Sequence, residues 1–212
     1  MNKNRLEAFS DGVFAIVITL LILDVRFPAS GTATLRGLQD MLPQVLSFAL
    51  SFVIVGVYWV SHHNMFHYIR AADRRLLWLN LLLLLVVVFV PFPAALLGQR
   101  PGDPVAVMLY GANLVLVNAV GSVLWIYASS RHELREPELT DALANLVVKV
   151  HAGPILVYGL GILMAAYATR MSLLLYALVP AFFILPNPWL DRKLAAASVG
   201  GKERPRTATA RR

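Results

Sequence analysis

Six stretches of the chain, at roughly residues 7–27, 43–67, 76–98, 104–129, 142–168 and 172–190, are apolar over about 20 residues each, the length a helix needs to cross a hydrocarbon core of about 30 Å. Inside a bilayer no water satisfies the backbone, so each segment must pair its own N–H and C=O groups, which selects helices. The breaks hold turn-forming and charged residues: "FPASGTATLRG", "RAADRR", "GQRPGDP", "SSRHELREPELTD" and "TRMS". The pattern predicts an all-α polytopic membrane protein with six transmembrane helices. Composition agrees, because 58% of the 212 residues are hydrophobic and only 15% charged, where an ordinary soluble domain has about 25% charged residues.

Charge placement sets an expected orientation. With the N-terminus inside, fifteen of the Lys and Arg residues fall in inner segments, and only Arg26, Arg36, Arg100 and Arg170 fall in outer loops. Cytoplasmic loops collect such residues, so both termini are expected in the cytoplasm. The net charge of +7 thereby acts as a topology signal, and nucleic acid is not an expected partner. Cysteine is absent, which excludes disulfides and thiolate chemistry. Glu7 and Asp11 stand where a signal peptide would be basic, and no small-residue cleavage site follows Leu23, so the first run reads as a retained helix. Residues 1–192 form one six-helix unit without an internal repeat, and 193–212 read as a basic cytoplasmic tail, too polar to order itself.

The first helix combines polar and apolar features. Asn4 and Glu7 have capping-box spacing, which starts the helix ahead of Arg5, Ser10 and Asp11. Those three either snorkel to headgroups or join neighbouring helices through hydrogen bonds. At about 100° per residue, Phe9, Gly12, Ile16, Leu20, Leu23 and Phe27 share one stripe, with Thr19 at its edge. Such a stripe is either a packing face or the lining of a pore that gates by dewetting.

The pattern Arg5-x-x-x-Phe9-Ser10-Asp11, continued by "GVFAIVITLLILDV", resembles the signature of the transmembrane protein 175 family, potassium channels of bacteria, archaea and lysosomes. The likeness extends through "VYWVSHHNMFHYI" and "LLWLNLLLLLVVVFVPFP", and thins after residue 100. It implies a non-enzymatic homotetramer in a prokaryotic-type cell membrane, six helices per subunit, with helix 1 lining a central pore, permeant K⁺ and no cofactor. It further implies a hydrophobic constriction at Ile16, Leu20 and Leu23, a selectivity layer at Thr19, and a structural network of Arg5, Phe9, Ser10 and Asp11 with Trp59, His63, His67 and Asn80. The sequence has no "TVGYG" segment, so a carbonyl filter has no support and only moderate preference for potassium is expected. Asp24 either concentrates cations at the outer mouth or is a solvated interfacial acid.

Other residues have two readings. His63 and His67 have i, i+4 spacing that suits a metal, and His151 could pair with one of His62, His63 and His67 to ligate a haem, whereas interfacial or network roles for those three need no cofactor. A membrane redox protein is therefore an alternative function, testable by a Soret band, and a small secondary transporter is another, although no inverted repeat marks it. Lys149 is expected to snorkel; Gly153, Pro154, Gly159 and Gly161 to serve kinking and close packing; Asn113 and Asn118 to bond across helices; and Trp78, Trp125 and Trp189 to anchor at the interface.

Overall fold

The computed structural model describes residues 3–26, 35–186 and 188–199. The helices are α1 (Lys3–Leu20), α2 (Leu35–His67), α3 (Arg74–Val88), α4 (Pro91–Gln99), α5 (Pro104–Ser130), α6 (Asp141–Ala165), α7 (Thr169–Ile184) and α8 (Pro188–Val199), and a 3₁₀ turn, Leu21–Asp24, extends α1. Among the described residues, five spans are long and apolar enough to cross a membrane: α1 with its 3₁₀ turn, α2, α3 with α4, α5 and α6. The sixth apolar helix, α7, has 16 residues.

Local chemistry explains the boundaries. The Asp73 carboxylate accepts from Leu76 N at 2.7 Å and starts α3, Asp103 accepts from Val105 N at 2.9 Å beside Pro104, and the Thr140 hydroxyl accepts from Leu143 N at 3.1 Å at the head of α6. The third apolar run, expected as one helix over 76–98, is broken between α3 and α4. Pro91 has no N–H for Val87 O, which accepts instead from Val90 N at 3.0 Å. Val86 O thereby loses its usual donor, and Asn113 Nδ2 on α5 replaces it at 3.0 Å.

Several expected boundaries move. α1 begins at Lys3, so Asn4 lies inside the helix instead of capping it, and Lys3 pairs loosely with Glu7 at 3.9 Å. α2 starts at Leu35 and tolerates Pro43 within it. Near Pro186 the last apolar run stops, and α8 carries the chain in helix beyond residue 192 to Val199. Phe27, residues 200–212 and the Trp189 side chain lie outside the described residues.

One core joins α1 to α7 through Phe14, Val17, Ile54, Phe66, Leu83, Leu114, Tyr158 and Tyr176. At the end of the bundle where α1 begins, the connections knit together. Arg70 N–H donates to Leu134 O at 2.7 Å, Glu136 N–H to Tyr68 O at 2.9 Å, and the Tyr127 hydroxyl to Asp73 Oδ2 at 2.5 Å. Trp125, expected at the interface, is buried here and donates from Nε1 to Ala144 O at 3.0 Å, whereas Trp78 is exposed as an interface anchor would be.

Candidate functional site

α1 has two chemically different sides. Leu6, Ser10, Phe14, Val17 and Leu21 are buried against α2 and α3. Phe9, Gly12, Ile16, Thr19, Leu20 and Leu23 are exposed, Ile16 at 59% and Leu23 at 64%. On a helical wheel the middles of these two arcs are about 120° apart, so the exposed stripe is a face that the chain itself leaves uncovered. The 3₁₀ turn sharpens its upper end, since three residues per turn eclipse side chains at i and i+3 and set Leu23 over Leu20.

Thr19 sits within this stripe. Its hydroxyl donates to Ile16 O at 2.8 Å, which fixes the oxygen and leaves its lone pairs free to face a cation. Asp24, at the end of the turn, is half-buried.

Behind the stripe a directed hydrogen-bond chain locks α1 to α2 and α3. The His62 Nε2–H donates to Asn80 Oδ1 at 2.8 Å, Asn80 Nδ2 donates to Ser10 Oγ at 2.9 Å, and Ser10 Oγ donates to Leu6 O at 2.9 Å. Because Asn80 Oδ1 can only accept, the His62 proton is placed on Nε2. All three side chains are buried, where an unpaired polar group costs about 1–3 kcal/mol. A second tie, on the flank, runs from Trp59 Nε1–H to Asp11 Oδ1 at 2.9 Å.

The expected network is thus corrected in three places. His62 takes the role expected of His63 or His67, stacking on Phe66 with ring centres 4.3 Å apart; His63 lies beside Trp59 and His67 against Tyr68. A signal for His62 existed, since Ser51, Val55, His62 and Phe66 recur at helical spacing and all are buried. The Arg5 side chain makes no hydrogen bond or ion pair with the described residues of its own chain, and its wheel position, about 20° from Ile16, puts it on the exposed stripe. Phe9, also expected in the network, is 54% exposed on that stripe.

Elsewhere, Asn113 and Asn118 do bond across helices, to Val86 O and to the Tyr58 hydroxyl. Lys149 is exposed. Gly161 packs directly against the Tyr176 ring, while Gly153 and Gly159 face open space. His151 donates from Nδ1 to Val147 O at 2.8 Å and accepts from the Ser61 hydroxyl at 3.1 Å, so neither nitrogen is free for an axial ligand. Among the described residues no three His, Asp or Glu side chains gather where a metal could sit.

Known proteins resemble this chain in sequence and fold. Residues 5–91 match the family model described as endosomal/lysosomal potassium channel TMEM175. A potassium channel of Streptomyces collinus is 39% identical over 157 residues, covering 71% of this chain and 76% of its own, and one of Chryseobacterium is 30% identical over 194 residues, covering 92% and 98%. The crystal structure of a lysosomal potassium-selective channel TMEM175 homolog from Chamaesiphon minutus superposes with a TM-score of 0.72 at 32% identity, over 85% of this chain and 95% of that one. The match covers α1, α2 and α3, where the exposed stripe and its buried support lie, and the relatives extend it through the remaining helices. The chain belongs to the TMEM175 family of potassium channels.

Proposed function

We propose that this chain conducts cations with a preference for potassium, as a homotetramer whose four α1 helices line the pore. The observation that carries this reading is the uncovered apolar stripe of α1, held at a fixed angle by the His62–Asn80–Ser10 chain behind it. Lipid tails can cover an apolar face, but this one also carries the Arg5 cation and the Thr19 hydroxyl, which sit better against water or a protein partner than against hydrocarbon. A homotetramer provides that partner, and a narrow apolar lumen at the centre.

In such a lumen Ile16, Leu20 and Leu23 form successive constrictions in which water is poorly held, so conduction is controlled by wetting. The four Thr19 hydroxyl oxygens form one ring of ligands, enough to replace part of an ion's hydration shell. Replacing part of the shell favours the ion that dehydrates more cheaply, which is potassium, and one ring gives a moderate preference. Arg70, Arg74, Arg75, Arg131 and Arg135 gather at the end where α1 begins, which supports cytoplasmic termini in a prokaryotic-type cell membrane.

Purified protein in liposomes, assayed for potassium and sodium flux, tests the assignment. Ile16→Ser is expected to raise flux roughly tenfold, since about 1.4 kcal/mol off a barrier suffices. Thr19→Val is expected to lower the potassium to sodium ratio while flux persists. Unchanged flux and unchanged ratio in folded variants would remove α1 from the ion path.

A further inference from the structure

Between α2, α6 and α7, which meet along only part of their length, lies a half-open groove of about 900 Å³. Its walls are chiefly apolar, with Phe52, Gly56 and Val60 on one side and Val150, Pro154 and Phe183 on the other. The volume lies in the range of about 300–1,000 Å³ typical of ligand pockets. Along α2 the lining runs from Phe52 to Tyr68, roughly 24 Å at 1.5 Å per residue, longer than one hydrocarbon leaflet of about 15 Å. Ser61 and His151 bridge the two walls by their 3.1 Å hydrogen bond. A helix, about 10 Å across, cannot pass between walls tied this closely, whereas a single acyl chain can.

The groove ends among polar and basic groups. Asn64, His67 and Tyr68 line it where α2 finishes, and Leu194 of α8 closes it. α8 packs on α6 there, with Thr140 Oγ1 donating to Ala197 O at 2.7 Å, and it presents Arg192 and Lys193 to solvent. Apolar walls at least a leaflet long, closed by the helix that carries two exposed cations, match an amphiphile with a hydrocarbon tail and an anionic head.

We propose that this groove is a binding site for an anionic phospholipid, one acyl chain lying between α2 and α6 and the phosphate resting against Arg192 and Lys193. The site does not involve the exposed stripe of α1, so it stands whether or not that stripe lines a pore. Holding a lipid there gives α2, which is tied to α1 through Trp59 and Asp11, a wall whose occupancy depends on the membrane's composition.

Gly56 allows a direct test, because a side chain at that position meets nothing within 4 Å and would grow into the groove. The protein is purified in mild detergent, incubated with phosphatidylglycerol or phosphatidylcholine, and weighed by native mass spectrometry. Wild type is expected to retain about one phosphatidylglycerol per chain and to prefer it over phosphatidylcholine. Gly56→Phe should cut retention about tenfold at unchanged oligomer mass. Arg192→Gln with Lys193→Gln should keep a lipid but lose the anionic preference. Val150→Phe, on the opposite wall, replaces Gly56→Phe if that variant does not fold. Equal retention in the groove-filling variant and wild type overturns the site, as does a folded wild type that retains no lipid. A Gly56→Phe oligomer that falls apart overturns it in favour of a second copy of the chain as the occupant.

Discussion

Two glycine-bearing faces of the molecule behave in opposite ways. On α1, Gly12 stands on the uncovered stripe with no atom near a would-be Cβ. Between α5, α6 and α7, Gly111 and Gly161 are pressed against Tyr176, whose ring occupies the space their side chains would need, and the Tyr176 hydroxyl donates to Val107 O at 3.2 Å. Small residues let helices approach where the chain packs on itself, and leave a face smooth where it does not. Gly111 and Gly161 therefore bring α5, α6 and α7 together around Tyr176, whereas the Gly12 face of α1 meets no described residue of its own chain.

Gly161→Leu is expected to have the largest effect, because an aromatic ring cannot yield as a flexible side chain does; overpacking costs about 3 kcal/mol or more in such places, read as a fall in melting temperature in detergent. Asn80→Leu should cost about 2–3 kcal/mol by stranding His62 and Ser10, and Ser10→Ala less, since Asn80 keeps its bond to His62. If Asn80→Leu were neutral, α1 would not depend on its buried side, and the contrast would fail.

Asp73 ties the start of α3 to α5 at the loop end. Partial burial pushes its carboxyl up, but hydrogen bonds from the Tyr127 hydroxyl, Leu76 N and Arg75 N outweigh this and hold it below its ordinary value. A depressed folded value means that the contribution is complete above about pH 4, the unfolded range, and is lost as pH falls through the folded value. Melting temperature should hence be flat from neutral pH to about 5 and fall below about 4, with Asp73→Ala removing about 1 kcal/mol at neutral pH and flattening part of that acid slope. The smallest effect belongs to Gly12→Ala, expected within about 0.5 kcal/mol of wild type. A large loss there would mean that the stripe is packed and not open.

The uncovered stripe was legible from residue order, because helical periodicity is local. The stripe from Phe9 to Leu23 follows from about 100° per residue, and the motif at Arg5, Phe9, Ser10 and Asp11 pointed to the right family. Pairing was less legible. His62 and His63 are adjacent and chemically identical; helical spacing puts His62 on one face with Ser51, Val55 and Phe66, and the packing of Phe14 and Phe66 around its ring makes that face the inward one. Arg5 shared a motif with Ser10 and Asp11, yet helix geometry turns it to the opposite side from Ser10.

Chain order alone determined the all-helical class, the number of apolar runs and the polarity of charge between the two ends. Those properties depend on segment length and on residues near one another along the chain. Tertiary structure decided which imidazole closes the network, that Trp125 is core, that the third run breaks at Pro91 with Asn113 completing its backbone, and that a groove remains between α2 and α6. Each of these depends on groups distant in sequence meeting within a few ångströms, where burial decides whether a polar atom must be paired.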